Sequence, residues 1–319
     1  MLSNLNPIFI SGLYRSGTTA LAEIIDGFEN INVAVGSIHF MRLVQKFHPI
    51  EKNLQEALVY MTKEYKTKWK KNININIPER TLVKKNELAS IYDKLMQELL
   101  NLKPQNRWAE KTNVQWESIP DFLSLFPSGQ VVHIYRDPRS VAASFKLFTK
   151  YKHPIFLDCV FASKAMFNYI DQNKVLLNNT RVKLIKFEDF FAKKKLPIND
   201  LSNFLKVKNS HLNSKIKIGG ENFNYNSSSS FNSTRVKNNL KFNNSNGTLS
   251  NAELYFIQKY LSSELKKFDY EVLDIKMTKS DLFEFKKLCD NVYLKTRVEY
   301  VSKFKNGQQS FPEDTNKYN

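Results

Sequence analysis

The chain has 319 residues, 42% of them hydrophobic and 13% aromatic, which excludes a disordered polymer and is enough for one large α/β domain or two smaller ones with a full core. Lys and Arg number 48 against 31 Asp and Glu, a net +17. The lysines come as scattered pairs and one triplet, Lys193 to Lys195, the pattern of a solvated surface and not of a nucleic-acid-binding arm. A positive field of this kind still speeds the approach of an anionic ligand.

Other classes fall away on residue pattern. Cys159 and Cys289 belong to no C-x-x-C or Cys/His cluster, so neither a zinc site nor a disulfide framework is expected. No stretch holds the ~18 unbroken apolar residues of a membrane-spanning helix. The chain enters its first strand directly after MLSNLNP, so a cytoplasmic location is the default expectation.

In chain order, Pro7 to Ser11 has the apolar, β-branched character of a buried strand, Gly12 to Gly17 is a glycine-bracketed loop, and Thr18 to Phe28 has helical spacing. Strand, glycine loop and helix start together form an anion-binding unit, because the first amides of a helix point outward with no carbonyl to bond. The nucleotide-splitting P-loop places lysine after its second glycine. Thr18 stands there instead, and Arg15 lies inside the loop with Ser16, Thr18 and Thr19 supplying hydroxyls. A guanidinium grips an oxyanion with a planar fork of donors.

Ile31 to Val35 is expected as a second strand, with His39 just beyond it, where an open α/β sheet places ligands. Helical spacing in Glu51 to Trp69 and again around Leu88 to Leu99 marks an insertion over about 51–103. The segment RWAEKT, Arg107 to Thr112, precedes a helix through Ile119 and Phe126. Val131 to Tyr135 has the continuous apolar run of a buried parallel strand and ends in Arg136-Asp137-Pro138-Arg139, with the proline opening a helix that carries Ser144. Phe156 to Leu176 is expected as one long helix and Val182 to Phe187 as a further strand. The Asn- and Ser-rich stretch over about 206–247 is expected to be a lid. Helices are expected over Ala252 to Phe268 and Asp281 to Phe304, with a frayed polar tail after Lys305. The organisation expected is a single α/β domain over 1–275 and a helical extension over 276–319.

The string GLYRSGTT after an apolar strand resembles the 5′-phosphosulfate loop of sulfotransferases, which use 3′-phosphoadenosine 5′-phosphosulfate as donor, and VVHIYRDPRSVAASF resembles their 3′-phosphate motif. The resemblance implies a three-layer fold like that of P-loop NTPases, with a central, mostly parallel sheet flanked by helices, and sulfuryl transfer to a hydroxyl or amine without a metal. It implies that Arg15, Ser16, Gly17, Thr18 and Thr19 bind the 5′ end of the donor, and that Arg136 and Ser144, eight positions apart, bind its 3′-phosphate. By the same resemblance Lys111 of the Glu110-Lys111 pair contacts the transferring group, Arg15 assists it, and Ser230, Arg235 and Lys237 approach from the lid. Relatives carry a glutamate or histidine base after the second strand; here Ser37 and Ile38 stand in that place. His39 is the nearest titratable candidate for the base and Glu110 the alternative. A peptide, glycan or small-molecule acceptor stays open. A kinase-like phosphotransferase and a non-catalytic polyanion binder are the competing readings.

Overall fold

The computed structural model describes residues 6–35, 39–69, 84–149, 154–192, 196–208, 217–218, 221–222 and 247–303. Five parallel strands make the central sheet: β1 (Ile8–Gly12), β2 (Ile31–Val35), β3 (Arg107–Lys111), β4 (Gln130–Tyr135) and β5 (Val182–Lys186), in the order β2-β3-β1-β4-β5. The helices are α1 (Thr18–Asp26), α2 (Phe40–Lys46), α3 (Ile50–Trp69), α4 (Lys85–Leu100), α5 (Ile119–Leu125), α6 (Pro138–Thr149), α7 (Asp158–Gln172), α8 (Lys174–Leu177), α9 (Phe187–Ala192), α10 (Leu196–Leu205), α11 (Asn251–Tyr260), α12 (Ser262–Lys267), α13 (Lys279–Asp290) and α14 (Val292–Lys303). Among the described residues no helix is long and apolar enough to cross a membrane.

Strand alternation divides the interior in two. Ile8, Ile10, Val33, Ala109, Val132 and Ile134 face α1 and α10, packing on Leu21, Ile25 and Leu201. Phe9, Ala34, Trp108 and Val131 face the other way, into an aromatic-rich layer with Tyr92, Trp116, Phe122, Phe126, Phe161 and Phe167. Helices on both sides of a buried parallel sheet give three layers, the fold of P-loop-like proteins.

β1 lies between β3 and β4, so connections leave it toward both edges of the sheet. Such a reversal opens a crevice at the carboxyl ends of the strands. The residues at those ends are Gly12 and Lys111, the last of β1 and β3, and Arg136, directly after β4.

The expected strand set was one short, because Arg107 to Lys111 is a strand and not merely a lead-in to a helix. The pentapeptide RWAEK lacks β-branched residues and carries three charges, so its propensity conceals what its place between β1 and β2 imposes. Three long helices expected from periodicity are broken. A 3₁₀ turn at Pro154–Leu157 precedes α7, which ends at Gln172 before the short α8, while α11 gives way to α12 at Leu261 and α13 to α14 at Asn291. Asn291 is extended (φ −65°, ψ 123°), and its carboxamide oxygen accepts from Leu294 N (3.1 Å), so it closes one helix and opens the next.

The carboxyl end of β4 is bolted to the C-terminal third of the chain. Arg139 places its fork on Asp137 (Nη2–Oδ2 2.7 Å, Nε–Oδ1 3.0 Å) and sends Nη1 to Gln258 Oε1 (2.8 Å) and the Glu271 carbonyl (2.7 Å). Gln258 in turn donates to the Leu273 carbonyl and accepts from Leu273 N. Both members of this ion pair are almost fully buried; the carboxylate accepts three hydrogen bonds from Arg139, and the guanidinium reaches Gln258 and Glu271 as well, the condition under which a buried pair holds.

Candidate active site

The loop between β1 and α1 is shaped by two glycines. A Cβ on Gly12 would lie 2.5 Å from the Ile134 carbonyl oxygen. Gly17 has φ +90°, and a Cβ there would fall 2.5 Å from the Phe187 ring. Ser16 N closes the turn onto the Leu13 carbonyl (3.2 Å), and Leu21 N onto Gly17 O begins the helical bonding of α1. The amides that precede it, Thr18 to Ala20, stand at the helix start where an anion is received.

Arg15 adopts a left-handed backbone (φ 63°) and sends its Nε to Ser144 Oγ (3.0 Å). Arg136 comes to the same place from β4, donating Nη1 to the Arg15 carbonyl (3.1 Å) and stacking its guanidinium 4.1 Å from the centroid of Phe187. The Phe187 ring, supplied by the start of α9 after β5, therefore touches both Gly17 and Arg136. Arg136 Nε is buried with no hydrogen-bond partner among the described residues, as is Ser16 Oγ.

The two cations oppose each other's charge. Burial first, and then Arg136, lower the pKa of Arg15; burial lowers that of Arg136, partly offset by Glu188 and Asp137. The acids nearby are engaged elsewhere. Asp137 takes the fork of Arg139, while Glu188 accepts from Asp137 N (2.9 Å) and from the Tyr270 hydroxyl (3.2 Å). Two partly desolvated guanidinium groups side by side, with Arg136 Nε unpartnered among the described residues, fit a polyanion with two charged ends. The residues present thus match the anionic groups of the donor expected from sequence.

The Thr18 hydroxyl donates to Asn113 Oδ1 (3.1 Å), just past β3, which ties the start of α1 to the end of that strand. Thr19, next in the helix, is half-buried.

The Glu110-Lys111 pair is split by the strand. Successive side chains point to opposite faces, so Lys111 shares the α1 side with Ala109, at the end of β3 beside β1, and is 2% exposed. Glu110, 0% exposed, lies on the side of α4 and accepts from the Tyr92 hydroxyl and from His39 N (2.7 Å). That carboxylate fixes the start of α2, where His39 is a half-buried, left-handed residue (φ 53°). Ser37 and Ile38 lie outside the described residues, as do Ser230, Arg235 and Lys237 and nearly all of the expected lid. His133 is buried mid-strand, and burial pushes its pKa down to about 3, which keeps it neutral.

Phe187, Asn113 and Arg139 were not singled out from sequence. An aromatic residue directly after an apolar strand, and a polar residue two places after Lys111, were the available signals for the first two.

A parallel P-loop-like sheet with an arginine-bearing anion loop in place of the lysine loop defines a class of anion-handling α/β proteins. The model of one such family, described as "Sulfotransferase family", matches residues 7–210, and the chain belongs to it. The protein is a sulfotransferase. No curated protein matches. Among solved structures, the sulfotransferase domain from the curacin biosynthetic pathway shares 14% identity at a TM-score of 0.51, covering 84% of this chain and 99% of its own. The sulfotransferase from Alicyclobacillus acidocaldarius shares 14% identity at a TM-score of 0.41 over 83% of this chain and 96% of its own. Mouse sulfotransferase SULT7A1, solved in complex with PAP, shares 15% at 0.38 over 65% of this chain and 62% of its own.

Proposed function

We propose that the chain uses 3′-phosphoadenosine 5′-phosphosulfate as its donor and delivers the sulfuryl group to a hydroxyl or amine of a peptide, glycan or small-molecule acceptor. The observation that carries this reading is the meeting of Arg15, Arg136 and Ser144 at one strand end, with Arg136 Nε buried and unpartnered among the described residues. The donor supplies an activated sulfuryl group, and transfer breaks its S–O bond to the 5′-phosphate while a new S–O or S–N bond forms to the acceptor.

The loop amides of Gly17 to Thr19, the Ser16 hydroxyl and Arg15 hold the 5′ end of the donor. Arg136 and the Ser144 hydroxyl, whose oxygen already accepts from Arg15, hold the 3′-phosphate. Lys111, at the end of β3, neutralises the negative charge that builds on the leaving phosphate. His39 removes the acceptor proton, and Glu110 sets its position by accepting its backbone N–H. Any role for Ser230, Arg235 and Lys237 is that of lid contacts to the donor, and the site is expected to work in the cytoplasm, where the donor's polyanionic charge meets the chain's positive field.

Thermal shift separates this donor from a nucleoside triphosphate. Adenosine 3′,5′-bisphosphate at about 100 times its Kd, without magnesium, is expected to add roughly 2.7 kcal/mol of apparent stability. Stabilisation by ATP with magnesium and none by the bisphosphate would refute the reading in favour of a kinase-like one.

A further inference from the structure

Beyond residue 210, where the family match ends, a short segment after α12 lies across the carboxyl ends of β4 and β5. The helix closes with Asp269 in a left-handed backbone (φ 56°), Asp269 N bonding the Lys266 carbonyl (3.3 Å) and Tyr270 N the Leu265 carbonyl (2.8 Å), the paired bonds of a helix-ending turn. The chain so turned meets the sheet residue by residue. Phe268 packs its ring on Tyr135 of β4 (centroids 5.6 Å), and its carbonyl accepts from Lys186 Nζ of β5 (2.8 Å). The Tyr270 hydroxyl donates to Glu188 Oε2 (3.2 Å), and the Glu271 carbonyl accepts from Arg139 Nη1 (2.7 Å).

Glu188 is the member of this set that bears on the site. Tyr135 and Lys186 are register partners in neighbouring parallel strands, and the residues that follow them continue side by side. The Arg136 guanidinium lies 4.1 Å from the centroid of Phe187, and Asp137 N donates to Glu188 Oε1 (2.9 Å). A carboxylate therefore stands next to the arginine assigned to the 3′-phosphate, and a guanidinium and a carboxylate are natural partners. Here they are kept apart. Asp137 N takes one oxygen of Glu188, the Tyr270 hydroxyl takes the other, and Arg136 Nε stays buried without a partner among the described residues. Tyr270 is itself buried, with its ring against Phe167 (centroids 6.2 Å) and under the Lys186 ammonium (4.3 Å), so its hydroxyl is held where it is.

We propose that Tyr270 is a positioning residue of the 3′-phosphate site: its hydroxyl holds the Glu188 carboxylate off Arg136, so that the guanidinium is kept for the phosphate of the ligand. The inference rests on the donor reading above. It gives the segment after α12 a part in telling nucleotides with a 3′-phosphate from those without one, acting through Glu188 and not by contact with the ligand.

The test is calorimetric titration of the full chain, without magnesium, with adenosine 3′,5′-bisphosphate and with adenosine 5′-monophosphate. Tyr270→Phe keeps the ring against Phe167 and deletes only the hydroxyl. It is expected to raise the Kd of the bisphosphate by about tenfold, because the released carboxylate pairs with Arg136 and repels the phosphate. The Kd of the monophosphate is expected to stay that of the parent. Adding Glu188→Gln to Tyr270→Phe is expected to bring bisphosphate affinity back to the parent value or tighter, since an amide has no charge with which to compete. If the hydroxyl only braced the fold, the two substitutions would weaken binding independently and their losses would multiply. A loss that Glu188→Gln does not reverse overturns the proposal, as does an equal loss for both nucleotides. A parent with no preference for the bisphosphate removes the donor reading and this proposal with it, whereas a parent with that preference and a Tyr270→Phe variant that binds like it removes the proposal alone.

Discussion

Lys111→Met is expected to lower kcat by about 10²–10³-fold while leaving the affinity for adenosine 3′,5′-bisphosphate nearly unchanged. Methionine keeps the unbranched stem that fills this 2%-exposed position and deletes only the cation. The leaving phosphate carries more negative charge in the transition state than in the bound donor, so a fixed cation there acts on rate more than on binding. Turnover of a sulfur-labelled donor, set beside a bisphosphate titration, separates the two quantities. Full kcat in this variant would make Lys111 a structural lysine of the sheet end.

Arg136→Ala is expected to do the reverse and strike binding first. The half-buried side chain stacks its guanidinium on Phe187, spends one hydrogen bond on the Arg15 carbonyl and keeps a buried Nε without a partner among the described residues. Removing one member of a buried, hydrogen-bonded charge pair costs about 2–5 kcal/mol, which is roughly 30-fold or more in Kd. The loss should be larger for a ligand with a 3′-phosphate than for one without. Because Asp137 keeps Arg139 and Glu188 keeps Tyr270 in the variant, neither acid is left stranded, and the fold is expected to persist. Circular dichroism checks the fold, and calorimetric titration the binding; an unchanged Kd would take Arg136 out of the donor site.

The parts of this site that lie within one strand-loop-helix unit were legible in the sequence. GLYRSGTT announces a strand end, two glycines with special backbone needs and an arginine between them, all within a few residues. The spacing of Arg136 and Ser144 carries across one strand end and two helical turns, and the structure brings both to Arg15. Choosing between the two arginines of Arg136-Asp137-Pro138-Arg139 was helped by neither composition nor periodicity. Arg139 is consumed by Asp137, Gln258 and Glu271, partners up to 132 residues away, and only that geometry shows which cation is left for a ligand. The strand β3 was hidden for a related reason. Its polar pentapeptide becomes a strand because β1 and β2 flank it, and its charges are tolerated because Glu110 meets Tyr92 and His39 in the core. The Thr18–Asn113 bond spans 95 residues and has no local signature. The breaks at Leu261 and Asn291 were invisible to apolar spacing because the residues on either side continue the same pattern.

The most direct measurement is the affinity of the parent protein for adenosine 3′,5′-bisphosphate against adenosine 5′-monophosphate, by calorimetry without magnesium. A donor site with Arg15 at one end and Arg136 with Ser144 at the other predicts a preference for the bisphosphate of about 30-fold or more. Equal affinities for the two nucleotides would contradict it.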